Sequence, residues 1–225
     1  MAQPIALDID GTLTRPDNDS LDPRVFEIIP QWDGVVVIAT GCALPIPLAL
    51  SYFLGRALYI VAENGGSVHT TDDIVVRGNK ERLQATVRDF KNRGGTVCWT
   101  GDIPVNRWRK TEFVVGRSAD SELLNEVADN HNMSVLDTGI AYHLTIQSID
   151  KASGLSTISN YLDINASDFV AVGDSENDKE MLSVAGESYA VANADNSAKA
   201  AADFVTDGKT MDGTIEALKR VQTGI

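Results

Sequence analysis

Four short apolar runs constrain this chain more than any other feature: residues 5–7, 35–39, 57–62 and 169–172. Each is apolar and too short for a core helix. Runs of this kind are strands buried on both faces, the pattern of a parallel sheet. Helical stretches alternate with them, at about 23–29, 45–54, 151–162, 178–185, 197–202 and 213–221. That alternation predicts an α/β fold with a Rossmann-like, doubly wound parallel sheet. The runs lead into polar residues, namely Asp8, Thr40, Glu63 and, one glycine later, Asp174. Strand ends of such a sheet share one rim, and that rim is where ligands bind.

The middle of the chain reads differently. Residues 80–93 form an amphipathic pattern with Leu83, Val87 and Phe90 at helical spacing, ended by Gly94-Gly95. Residues 96–100, 112–115, 133–136 and 141–147 predict strands, and 121–130 a helix with Ser121 as its cap. The expectation is a smaller α/β cap domain spanning 79–150, inserted into a discontinuous core of 1–78 and 151–225. Its alternating strands predict a sheet with one face covered by two helices.

The net charge of −13 disfavours nucleic acid and an anionic membrane surface as partners. No stretch of about 18 apolar residues exists to span a membrane. The N-terminus has no basic segment ahead of a long apolar one, and a cytoplasmic location is expected. Cys42 and Cys98 are far apart and lack metal-type spacing, which fits a reducing compartment. The acids are mostly Asp, 22 against 10 Glu, and Lys is scarce. Two readings of that balance stand side by side, adaptation to high salt and an ordinary acidic cytosolic protein.

The opening strand leads into Asp8-Ile9-Asp10-Gly11, two carboxylates two positions apart with a glycine for the turn. Acids this close repel unless a proton or a cation lies between them. Gly173-Asp174-Ser175-Glu176-Asn177-Asp178 brings two more carboxylates to the same rim. Asp8, Asp174 and Asp178 supply hard oxygens for Mg²⁺, with a backbone carbonyl from Asp10. Thr40-Gly41 offers a hydroxyl and backbone N–H groups to phosphate oxygens. Lys151, opening a helix after an apolar strand, offers a point cation to phosphate or carboxylate. Taken singly, each has a plainer meaning: a turn cap, a strand end, a helix-start acid favoured by the dipole, a solvated lysine.

Taken together, the four segments resemble the four motifs of the haloacid dehalogenase superfamily, in order and across the whole chain. Asp8-Ile9-Asp10-Gly11-Thr12-Leu13-Thr14 is similar to the first, Thr40 to the second, Lys151 to the third and the 173–178 run to the fourth. The inserted α/β unit resembles the caps of its small-phosphoester phosphatases. Length, the short cap and Ala62-Glu63-Asn64-Gly65-Gly66 are most like the archaeal phosphoglycolate phosphatases. Many relatives carry an arginine where this chain has Cys42, a departure that disfavours a sugar-phosphate phosphatase.

The resemblance implies a Mg²⁺-dependent phosphatase acting on 2-phosphoglycolate through an aspartyl-phosphate. Asp8 would be the nucleophile and Asp10 the general acid and base. Thr40, Gly41, Lys151 and Asn177 would hold the phosphoryl group, with Asn177 ordering Lys151 or the phosphate. Asp8, Asp10, Asp174 and Asp178 would hold the metal. The alternatives are a sugar-phosphate phosphatase or phosphomutase of the same superfamily, and a phospho-accepting signalling receiver. A small phosphorylated molecule is the expected partner, and a monomer or homodimer the expected assembly. Arg107, Arg109 and Lys110 are either the cation source for the substrate's carboxylate or a solvated basic turn, and His143 reads as a surface histidine.

Overall fold

The computed structural model describes residues 2–17, 20–97 and 106–223. It divides into two compact units, Met1–Val75 with Asp150–Ile225, and Val76–Ile149. The strands, in chain order, are β1 (Ile5–Leu7), β2 (Val36–Ala39), β3 (Tyr59–Ala62), β4 (Ser67–His69), β5 (Ile74–Val76), β6 (Phe113–Gly116), β7 (Met133–Asp137), β8 (Ala141–Ile146), β9 (Val170–Gly173), β10 (Glu187–Ala190) and β11 (Phe204–Val205). The helices are α1 (Val25–Gln31), α2 (Pro45–Leu54), α3 (Lys80–Asn92), α4 (Ser121–Asn130), α5 (Lys151–Leu162), α6 (Lys179–Val184), α7 (Asn196–Ala201) and α8 (Thr210–Thr223).

One sheet has the order β11-β10-β9-β1-β2-β3-β4-β5. From β11 to β3 every neighbouring pair is parallel, and β4 runs antiparallel to β3. The first strand is therefore central. The chain leaves it on one side through β2 and β3 and returns on the other through β9, so the order reverses at β1. Ile5 pairs with both Val36 and Val170, and Leu7 with both Ile38 and Val172. All three residues of β1 are fully buried, as a strand covered on both faces requires. One apolar cluster joins these strands to α1, α2, α5, α6, α7 and α8.

The second unit has a three-stranded antiparallel sheet ordered β6-β8-β7. Leu83 and Phe90 of α3, and Leu124 and Val127 of α4, pack with Val115 and Leu144 in its cores. Asp120 caps α4, not Ser121: its side chain accepts from Leu123 N. The earlier aspartate wins because an N-cap must sit one residue outside the helix, in extended backbone. The strand expected at 96–100 falls partly outside the described residues, as does Cys98; Thr96 and Val97 have no regular structure.

Candidate active site

Because β1, β2, β3 and β9 are parallel, the residues that follow them lie at one edge of the sheet. Asp8 follows β1, Thr40 follows β2, Glu63 follows β3 and Asp174 follows β9. Backbone bonds extend the ladder by one step, Asp8 N to the Val172 carbonyl and Thr40 N to the Val61 carbonyl. The chain then turns at Gly11, whose φ of 77° suits glycine. A side chain there would collide with Asp174, since an added Cβ would lie 1.9 Å from its Oδ2. The two ends of the chain are pressed together at this glycine.

Lys151 is the first residue of α5, held there by a capping box between Asp150 and Ser153. A cation at a helix N-terminus is disfavoured by the helix dipole. Two carboxylates outweigh that: Nζ lies 2.6 Å from Asp8 Oδ1 and 2.6 Å from Asp178 Oδ1. Lys151 and Asp178 are fully buried and Asp8 nearly so. The other Asp178 oxygen accepts from the backbone N–H groups of Asp174 and Ser175, at 3.0 and 3.1 Å. Gly173 makes this possible, because a Cβ there would lie 2.5 Å from the Asp178 carboxyl carbon.

Asp8, Asp174 and Asp178 each offer an oxygen within 4.8 Å of the others. Three carboxylates around one ammonium leave two negative charges unbalanced in a buried place. Burial first, with Asp178, Asp174 and Asp10 beside it, pushes the Asp8 carboxyl well above the usual range against the pull of Lys151. Burial, then Asp178, pushes Asp174 up to about 7. For Lys151 burial works against the charge, yet Asp178 and Asp8 outweigh it and hold the ammonium protonated. Asp174 Oδ1 is buried with no hydrogen-bond partner among the described residues. An orphan oxygen, an all-carboxylate donor set and a deficit of two positive charges fit a hard divalent cation.

The remaining expected residues are close by. Thr40 is buried, and its Oγ1 accepts from Cys42 N at 3.0 Å, so Gly41 lies inside a closed turn. The Cys42 thiol lies 3.4 Å from Asp10 Oδ2. Asn177 does not bond Lys151. Its Oδ1 accepts from the Ser175 hydroxyl at 2.6 Å, and its Nδ2 donates to Asn64 Oδ1 at 3.0 Å. The lysine has already filled its near positions with two carboxylates, which are stronger acceptors than an amide. Sequence reasoning missed Asn64. An Asn-Gly pair after a buried strand signals left-handed backbone, but not which side chain the turn will meet. It also missed Asn193, whose Nδ2 donates to the Gly11 carbonyl at 3.0 Å and whose Oδ1 accepts from Thr210 N at 2.6 Å.

In the second unit, Arg109 and His143 both engage Glu112, His143 Nδ1 at 3.1 Å. All three side chains are at least nine-tenths buried, so neither the solvated-turn reading of Arg109 nor the surface reading of His143 holds. A cavity of about 270 Å³ within this unit is lined by Lys80, Arg88, Arg109, Lys110 and Glu112 among others.

Comparison with known proteins gives a consistent picture. A family described as haloacid dehalogenase-like hydrolase matches residues 105–218. Phosphoglycolate phosphatase from Natronomonas pharaonis is 48% identical over 224 residues, covering 99% of each chain. Phosphoglycolate phosphatase from Halorubrum lacusprofundi is 48% identical over 225 residues, again covering 99% of each. A crystal structure of a Thermoplasma acidophilum protein superposes with a TM-score of 0.86 at 24% identity, covering 99% of each chain, and shares the fold.

Proposed function

The chain belongs to the haloacid dehalogenase-like hydrolases and is a phosphomonoester hydrolase, and from that premise we propose that its substrate is 2-phosphoglycolate, cleaved to glycolate and phosphate with Mg²⁺ as cofactor. The observation that carries the reading is the buried group of Asp8, Lys151, Asp174 and Asp178 at the sheet rim. The named function of two relatives at 48% identity supports the choice of substrate.

In this reading Asp8 is the nucleophile. Lys151 holds its Oδ1, and attack on phosphorus falls to the other oxygen. The bond from phosphorus to the leaving oxygen breaks as the aspartyl-phosphate forms, and Asp10 delivers the proton that the leaving oxygen takes. Asp10 then receives a proton from water as that water attacks the phosphoryl group, and Asp8 is released. Thr40 and Gly41 hold phosphoryl oxygens, and Lys151 offsets charge developing on them. Asp8, Asp174, Asp178 and the Asp10 carbonyl would hold Mg²⁺, which supplies the further positive charge that phosphoryl transfer needs. Asp178 also fixes the 174–175 backbone, so it shapes the metal loop as well as belonging to it.

No helix among the described residues is long and apolar enough to cross a membrane. The reading extends to a cytoplasmic enzyme, monomer or homodimer, whose net charge of −13 sets it apart from nucleic-acid binders. The test is a phosphate-release screen with Mg²⁺, comparing 2-phosphoglycolate with sugar phosphates at equal concentration. The highest kcat/KM is expected on 2-phosphoglycolate; a sugar phosphate turned over faster would replace the substrate, and no release from any ester would remove the reading.

A further inference from the structure

We infer that Asn64 is a positioning residue of the phosphoryl-transfer site, acting through Asn177; the inference rests on the site reading above. It starts from backbone. Glu63, Asn64 and Gly65 are three successive residues with φ of 50°, 52° and 100°. Non-glycine residues rarely enter this region, and two in a row, both buried, are rarer still. Strain of this kind persists only where the surroundings impose it, and it concentrates at functional sites.

The surroundings here are the other loops of the site. Glu63 N donates to the Cys42 carbonyl at 3.0 Å, and Asn64 N to the Thr40 carbonyl at 3.2 Å. These bonds set the turn that carries the Thr40 hydroxyl and the Cys42 thiol facing Asp10. On the other side, Gly65 abuts the residue before Lys151: a Cβ on Gly65 would lie 2.0 Å from the Asp150 carbonyl oxygen. Gly154 of the same helix allows the approach, since its own Cβ would lie 3.1 Å from the Gly65 Cα.

The Asn64 side chain adds the third connection. Its Oδ1 accepts from Asn177 Nδ2 in a buried bond between residues 113 positions apart. Asn177 in turn accepts from the Ser175 hydroxyl, and Ser175 N and Asp174 N bond Asp178 Oδ2. One side chain thus ties the phosphate-holding turn after β2 to the acidic loop after β9. These loops must agree in position for in-line transfer, and a displacement near 1 Å costs about 10²-fold in rate. Left-handed backbone is accessible to asparagine and its side chain is the right length for this reach, which explains the residue type.

The test uses Asn64→Gly, Asn177→Ala and the double variant, assayed for Mg²⁺-dependent hydrolysis of p-nitrophenyl phosphate. Asn64→Gly keeps the left-handed turn and its backbone bonds but deletes the acceptor. Its kcat is expected to fall about 10- to 100-fold, with KM nearly unchanged and the protein still folded at the assay temperature. Asn177→Ala should do the same, and the double variant should be no worse than the worse single, because both remove one connection. Turnover within twofold of the parent in either single variant would overturn the inference, and so would losses that multiply in the double. Full activity in an Asp8→Asn control would mark a different failure, that of the site reading itself.

Discussion

Each unit of this molecule buries a carboxylate against cations, and the charge balance separates them. In the first unit, the ammonium of Lys151 bonds Asp8 and Asp178, and the carboxylate of Asp174 lies beside those two acids. In the second, among the described residues, the carboxylate of Glu112 faces Arg109 and His143. Among the described residues the second arrangement is neutral or positive, and it ties the 109–112 segment to β8. The first keeps a negative surplus that hydrophobic packing cannot relieve, and burial makes that surplus expensive. A buried ion pair is weak evidence of purpose. A buried imbalance is stronger evidence, because only bound protons or a ligand of opposite charge make it tolerable.

Substitutions can break or sharpen this contrast. The largest effect is expected for Asp8→Asn, which should lower phosphate release by at least about 10³-fold. The same variant should raise the thermal midpoint of the metal-free protein, since it removes one surplus charge. Unchanged turnover would take Asp8 out of the chemistry. Next, Lys151→Met should slow turnover by about 10²-fold or more. It should also cost the metal-free protein about 3–5 kcal/mol in denaturant unfolding, because it strands buried carboxylates.

A third effect is pH-dependent. The folded protein holds a proton on Asp174 up to about 7, against an ordinary value of 3.8, and Asp8 is also raised, both mainly by burial. A carboxyl raised in the fold contributes stability that is complete below its unfolded value and is lost as pH climbs through its folded value. Metal-free protein should therefore melt at a lower temperature at pH 8 than at pH 5. Saturating Mg²⁺ should flatten or reverse that slope, because the ion replaces the protons. A slope that Mg²⁺ leaves untouched would argue against a cation among these acids. The smallest effect on chemistry is expected for Glu112→Gln, which should cost about 3 kcal/mol of stability in thermal or denaturant unfolding while kcat on p-nitrophenyl phosphate changes little. A collapse of turnover as deep as that of Lys151→Met would erase the contrast between the units.

The sequence made the sheet rim legible because its signals are local. A buried parallel strand has a continuous apolar run, and the residue after it must lie at the edge, so Asp8, Thr40, Glu63 and Asp174 could be placed without coordinates. The start of α2 was marked by such a signal, its prolines, and the structure adds a left-handed Gly55 at the end. What stayed hidden depends on contacts across long separations. Nothing near Asn177 indicates that its partner is Asn64 instead of Lys151. Nothing near Arg109 and His143 indicates that they share one buried glutamate. Periodicity also misjudged β8, where His143, Leu144 and Thr145 are all buried, because a polar residue with a buried partner mimics a solvent-facing one.

The contact of Gly11 with Asp174 has a consequence for biosynthesis. Strand β1 emerges early from a ribosome, yet one of its two neighbours, β9, and the carboxylates beyond it are made only after the whole second unit. A nascent chain can complete the cap fold while its opening strand still lacks that neighbour. The buried acid group around Lys151 therefore cannot close until Asp178 has been made.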